Sequence, residues 1–344
     1  MYHKLRIILE NHWYNKNKNY FVNIILHIFL LPFSILFFLV VKIRYYLYKF
    51  NVFKVYKLPI PVVVVGNISV GGVGKTPLTL HLVNLLLNKG IKVGVILRGY
   101  KGSINQPTIC YKNSDVKLVG DEALIYAEVD IPICIFKDRY QAGLKLIETY
   151  PNLDMIIMDD GLQHYKVFKD YEIIVIDTTR YFGNKFVLPN GPLREPINRI
   201  KDADVLVLNC QDNCKSDVII DFNVAKVYQM LQLKSIYNPI LDCYYEIEYL
   251  NKLSITVMVA TGNPHRFYQF LLQNNIKVSQ YLFFPDHHYY LFDDIPNDSD
   301  IILVTTKDYT KLKQYNNNKI CVVNSEVLLD SSKLINDLLQ LVVN

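Results

Sequence analysis

The chain has 344 residues, 51% of them hydrophobic, and a slightly positive mean hydropathy, which allows two domains with an appendage and suggests contact with a membrane. Its formal charge of +5 comes with no basic block, which argues against nucleic acid and leaves an anionic surface or substrate as the counterpart. The cysteines at 110, 134, 210, 214, 243 and 321 form no CxxC pair, so free thiols in a reducing compartment are expected and a zinc site is not.

Residues 21–41 carry no charge and are almost all Ile, Leu, Phe or Val. As a helix they would extend about 30 Å, the thickness of a bilayer core. Lys4, Arg6, Lys16 and Lys18 precede the run, and Lys42, Arg44 and Lys49 follow it. With no small-residue cleavage site behind it, it reads as an anchor and not a removable signal. Asn23, His27 and Ser34 fall on one helical face, and with Pro32 they leave two geometries open: a spanning helix, or one lying in the interface.

The β-branched run 62–65 predicts a strand buried on both faces. Ser69, Val70, Gly71, Gly72, Val73, Gly74, Lys75 and Thr76 follow, and then leucines at helical spacing from Leu78 to Leu86. Strand, glycine-rich loop and helix in this order form a phosphate loop, whose backbone N–H groups and helix N-terminus surround phosphate. Lys75 is placed to reach the β and γ phosphates of ATP, and the Thr76 hydroxyl to hold Mg²⁺. The first glycine of the usual pattern is Ser69 here.

A second strand over 92–97 ends at Arg98-Gly99-Tyr100, where open α/β sheets place ligands, although a surface turn would also account for the arginine. Gly120-Asp121-Glu122 opens a helix, whose dipole alone could explain the two acids. The strand over 155–158 ends in Asp159 and Asp160, as a metal-holding element downstream of a phosphate loop should. Another strand over 173–176 follows, so strands and helices alternate as in a mainly parallel, doubly wound sheet. The proline-rich loop 188–196 is either a spacer or a rigid surface that presents Arg194.

The pattern over 225–250 turns alternating and polar, and reads as an extended, hairpin-like connection. A second α/β unit starts at the strand 255–260 and carries Gly262-Asn263-Pro264, Phe284-Pro285-Asp286-His287 and Thr305 with Lys307-Asp308. The expected organisation is an anchor over 1–50, a P-loop NTPase-like sheet over 51–224, the connection over 225–250 and a smaller α/β domain over 251–344.

In this order, Gly66-Asn67 with 70–77, Arg98-Gly99-Tyr100, Gly120-Asp121-Glu122, 159–164, 191–196 and the three later motifs resemble the tetraacyldisaccharide 4′-kinase family of lipid A biosynthesis. Any one of them is weak; together and in order they are highly specific. Ser69 is a common residue of that family at its position, whereas Lys101 and Thr306 depart from its pattern.

The resemblance implies transfer of the ATP γ-phosphate to the 4′-hydroxyl of a membrane-embedded tetraacyldisaccharide 1-phosphate, giving lipid IVA. It implies Asp121 as base with His287 beside it, and Glu122, Asp159 and Asp160 around Mg²⁺. Arg98, Gln163, His164 and Arg194 are then candidates for the anionic head group. It also implies a place at the bacterial inner membrane with the catalytic part on the cytoplasmic face. Two rivals of other classes are a membrane-associated partitioning ATPase and a non-catalytic scaffold. The first usually has lysine where Val70 stands, and the second has no need of Asp121 and His287.

Overall fold

The computed structural model describes residues 2–14, 20–100, 102–211, 222–330 and 332–343. Lys16, Lys18, Lys101 and Cys214 lie outside the described residues. In chain order come α1 (Tyr2–Trp13), α2 (Tyr20–Lys49), β1 (Val62–Gly66), α3 (Lys75–Asn88), β2 (Val93–Leu97) and β3 (Thr108–Ile109). Next are α4 (Val116–Val119), α5 (Asp121–Ala127), β4 (Ile133–Ile135), α6 (Arg139–Thr149), β5 (Met155–Asp159), β6 (Tyr171–Asp177) and β7 (Val205–Cys210). Then follow β8 (Ala225–Asn238), β9 (Cys243–Tyr244), α7 (Ile247–Leu250), β10 (Ile255–Val259) and α8 (Pro264–Gln273). The chain closes with β11 (Gln280–Phe283), β12 (Ile301–Thr305), α9 (Thr306–Leu312), β13 (Ile320–Leu329) and α10 (Ser332–Val343).

The strands form one sheet in the order β11-β10-β12-β13-β8-β7-β6-β1-β5-β2-β4-β3, with β9 paired to the end of β8. Every pairing is parallel except β3 with β4, β8 with β9 and β8 with β13. The central strand β1 shows why the β-branched run is unbroken. Val63 and Val65 pack with Leu78, Leu82 and Leu86 of α3, while Val62 and Val64 pack on the other face with Ala142 and Leu146 of α6. Strand order reverses at β1: β5 and β6, consecutive in the chain, flank it on opposite sides. The crevice at the carboxyl ends of these three strands is where a doubly wound sheet binds ligands.

The stretch 225–250 differs from the extended connection expected of it. β8 is a 14-residue strand inside the sheet, parallel to β7 through its first half and antiparallel to β13 over most of its length. Its alternation is that of a half-buried strand. The hairpin is confined to its far end, where Tyr237 pairs with Tyr244.

The 30-residue helix α2 is apolar enough to cross a membrane, and most of its large side chains are exposed. Its small polar face is docked on the protein. Ser34 is buried and donates to the Val187 carbonyl at 2.7 Å, and Asn190 donates to His27 Nδ1 at 3.1 Å. Further along, Arg44 donates to the Gln163 carbonyl at 3.0 Å and Tyr45 to Asp202 at 2.9 Å.

Candidate active site

The phosphate loop leaves β1 at Gly66 and closes at Gly74, whose φ of +91° is left-handed. A Cβ there would meet Asn209 Nδ2 at 2.0 Å, so only glycine fits. Asn209, at the end of β7, donates to the Val73 carbonyl at 2.6 Å and holds the loop from below. Ser69 is buried and bridges to Leu193, while Val70 N–H donates to the Pro192 carbonyl at 2.8 Å. The proline-rich loop is thus docked on the phosphate loop, which carries Arg194 into the crevice.

Asn67 is the hub there. Its side chain accepts from Lys75 at 3.1 Å and from Arg194, and its carbonyl accepts from Gln163 at 3.0 Å. Arg194 also grips both oxygens of Asp160, at 2.8 and 3.2 Å, and Lys75 lies 3.3 Å from the same carboxylate. Burial would raise the Asp160 pKa, but Lys75 and Arg194 overcome it and hold the group below the usual carboxylate range.

Asp159 accepts from Thr76 at 3.2 Å and from Tyr126 at 2.7 Å. Burial pushes Asp159 up, against the pull of Lys75 and these hydrogen bonds. Burial pushes Glu122 up as well, with the Asp159 charge adding to it and Lys307 opposing it. Two carboxylates short of positive charge, Asp159 buried beside a threonine hydroxyl and Glu122 half-buried, suit Mg²⁺, which takes oxygen ligands and keeps several waters. Among the described residues no three His, Cys, Asp or Glu side chains converge on one metal position. Phosphate and water would therefore have to supply the rest of the shell. Of the four metal candidates, Asp160 is the least available, since its oxygens already face two cations.

Asp121 and His287, far apart in sequence, are in contact: Nδ1 lies 2.8 and 3.0 Å from the two carboxylate oxygens. Lys307 donates toward His287 Nε2 at 3.3 Å, which leaves the Nδ1 proton facing Asp121. Lys311, buried on the same helix, stands 3.3 Å from Asp121 Oδ2. Burial would raise the Asp121 pKa, yet His287, Lys307 and Lys311 together keep it well below the carboxylate range. Tyr100 packs over the imidazole with ring centroids 5.0 Å apart. Asp308 serves structure, accepting from the Ala260 N–H, Tyr290 and Thr305.

Arg98 follows β2 directly and is exposed at the crevice edge. His164 is engaged elsewhere: its Nε2 accepts from the Arg139 N–H at 3.1 Å. Burial and the nearby Arg139 charge bring its pKa down to about 4, so a neutral ring positions Arg139 at the start of α6. The sequence reading missed Asn67, Tyr126, Arg139 and Lys311. Asn67 and Lys307 lay within motifs it quoted, but a role for Tyr126 or Lys311 needs contacts that no local pattern records.

A phosphate loop, two acids closing the neighbouring strand and a carboxylate–imidazole pair facing them define the class: a P-loop phosphotransferase on a parallel-dominated α/β sheet. The family model described as Tetraacyldisaccharide-1-P 4′-kinase matches residues 26–343, and the chain belongs to that family. A tetraacyldisaccharide 4′-kinase of Ruthia magnifica is 39% identical over 308 residues, 89% of this chain and 94% of that protein. One from Chromobacterium violaceum is 40% identical over 258 residues, 74% and 75% of the two chains. The crystal structure of LpxK from Aquifex aeolicus in complex with ATP superposes with a TM-score of 0.77 at 30% identity, covering 90% of this chain and 98% of that one.

Proposed function

We propose that this chain is an ATP-dependent, Mg²⁺-assisted kinase that phosphorylates the 4′-hydroxyl of a tetraacyldisaccharide 1-phosphate, a step of lipid A biosynthesis. The observation that carries the reading is the Asp121–His287 contact, which sets a proton acceptor at the crevice of the phosphate loop. A sugar hydroxyl is a poor nucleophile, and removing its proton as the oxygen attacks the γ-phosphorus lowers the barrier. Asp121 accepts that proton and His287 supports it; the pair acts as one unit, while the bond from phosphorus to the ADP oxygen breaks. Lys75 places a positive charge on the transferring phosphoryl group, and Asn67 with Asp160 fixes where that ammonium sits. Bound through Thr76, Asp159 and Glu122, Mg²⁺ would neutralise charge on the phosphates. Arg194, Arg98 and Gln163 border the crevice and suit an anionic head group.

The membrane part follows from α2. Its contacts from His27 to Tyr45 run along about 27 Å of helix at roughly 1.5 Å per residue. A helix held side-on for that length lies in the membrane interface, with its exposed apolar face in the acyl region. The catalytic part then sits at the cytoplasmic face of the inner membrane, where ATP is found.

The test is ATP-dependent phosphorylation of tetraacyldisaccharide 1-phosphate in mixed micelles. Stoichiometric formation of ADP and the 4′-phosphorylated lipid is expected. ATP turnover that ignores the lipid would favour the ATPase class instead.

A further inference from the structure

The loop between β5 and β6 carries Gln163 to Asn67 of the crevice and, two residues later, Tyr165 to the carboxyl half of α2. The Tyr165 ring stands 5.9 and 5.8 Å from the rings of Tyr45 and Tyr48, and the Arg44 guanidinium lies 5.6 Å from its centre. Its hydroxyl donates to Glu195 Oε1 at 2.7 Å. We propose that Tyr165 is a positioning residue for the phosphoryl transfer: it ties α2 to Glu195 and so fixes Arg194 against the phosphate loop. The inference rests on the kinase reading above and adds to it a residue that acts on the crevice through its neighbours.

Glu195 follows Arg194 directly, and the two side chains diverge. Arg194 reaches Asp160 and Asn67 in the crevice, whereas Glu195 is only 2% exposed. A buried carboxylate needs hydrogen-bond donors. The neighbouring cations are committed elsewhere: Lys169 stands 2.9 Å from Glu172, and Arg199 pairs with the same carboxylate. Among the described residues, Tyr165 is the one side chain that hydrogen-bonds Glu195. The Arg194 and Glu195 N–H groups both donate to the Ile68 carbonyl, at 2.6 and 3.3 Å. Whatever holds Glu195 therefore also holds Arg194 to the start of the phosphate loop.

A second line of contacts reaches the same place. The Arg44 side chain that stacks on Tyr165 donates to the Gln163 carbonyl at 3.0 Å. Gln163 Nε2 donates in turn to the Asn67 carbonyl at 3.0 Å, and the Asn67 side chain accepts from Lys75 at 3.1 Å. Lys169, 4.9 Å from the centre of the Tyr165 ring, donates to the Leu162 carbonyl at 2.6 Å and braces the same loop. Cations over the ring and a hydroxyl bond to a buried acid together select one orientation of Tyr165. Without the hydroxyl, Glu195 is left buried and lacks a donor, which favours a shift of its segment. Arg194 would shift with it, and small displacements of a positioned group cost rate more than binding.

The test uses three full-length variants, each checked by melting temperature. Tyr165→Phe removes the hydroxyl and keeps the ring, and Arg44→Ala removes the stacked guanidinium. Tyr45→Phe removes a hydrogen bond from α2 to Asp202 that leads to neither Glu195 nor Gln163. In mixed micelles with saturating ATP, the first two should lower kcat on the disaccharide about tenfold and keep the lipid KM within about twofold. Tyr45→Phe should match wild type. Amide hydrogen exchange at Val70, Arg194 and Glu195 should quicken about tenfold in the first two variants and not in the third. The first two come from different elements, so a misfolded one leaves the other as the test. Unchanged kcat in the folded variants would overturn the proposal. So would a rise in KM that accounts for the whole loss, or an equal loss in Tyr45→Phe. A wild type that phosphorylates no disaccharide would remove the kinase reading alone. Exchange at the three amides then decides the positioning role, which faster exchange supports and unchanged exchange overturns.

Discussion

Lys75 and Asp160 stand 3.3 Å apart, with Arg194 on the same carboxylate oxygen at 2.8 Å and Asn67 touching both cations. Two positive side chains held so close need Asp160 between them, so this acid first serves to place Lys75. Lys75→Ala should lower single-turnover phosphoryl transfer about 100-fold or more, on the scale of losing one preorganised transition-state contact. A near-wild-type single-turnover rate in that variant would remove Lys75 from the chemistry. His164 supports a second prediction. Burial, with Arg139 adding, brings its pKa down to about 4, below the unfolded value near 6.5. The unfolded chain therefore binds the extra proton first, and the stability this ring contributes is complete above about pH 6.5 and lost as pH falls toward 4. Melting temperature should drop between pH 7 and 5 in wild type, and His164→Gln, which keeps an acceptor for the Arg139 N–H, should drop less. Equal slopes would contradict this role. Lys75 and Thr76 were legible in the sequence because spacing within one strand–loop–helix unit marks them, and Asp159 because it closes an apolar strand downstream. Tyr126, 33 residues before the acid it contacts, was not, because a buried hydroxyl leaves no local pattern.

Among the elements, β1 and α3 were readable for a physical reason: a strand covered on both faces must be apolar at every position, and a phosphate loop must start a helix. The strand β8 was harder. One half-buried face gives it the alternation of a polar hairpin, and only its pairing with both β7 and β13 shows that it continues the sheet. For α2 the polar stripe was visible, but what it faces was not. Ser34 and His27 turn out to meet the proline-rich loop, and that loop in turn holds Arg194. The apolar helix α2 and the site are thereby joined through one segment. Leu36 is 62% exposed on the opposite face. Leu36→Asp should weaken binding to anionic vesicles about tenfold or more, because it sets a charge in the acyl region, while the melting temperature stays within a few degrees. Undiminished vesicle binding would show that this face does not enter the membrane.

Across the whole molecule, one sheet carries both parts of the chemistry. The phosphate loop follows the central β1, Asp121 opens α5 between β3 and β4 at one edge, and His287 follows β11 at the other; α5 and α9 pack together to close the distance. The family resemblance implied that these groups meet, but the two lysines from α9 that surround Asp121 appear only once the chain is folded. The proposed catalysis depends on Asp121 and His287 working as one proton-accepting unit. The direct measurement is a double-mutant cycle on single-turnover rates, with melting temperatures taken alongside. Asp121→Ala and His287→Ala should each slow phosphoryl transfer about 100-fold or more, and the double variant should be little slower than the poorer single one, with ATP affinity kept throughout. Rate losses that multiply in full, or a fall in melting temperature large enough to explain the lost activity, would contradict it.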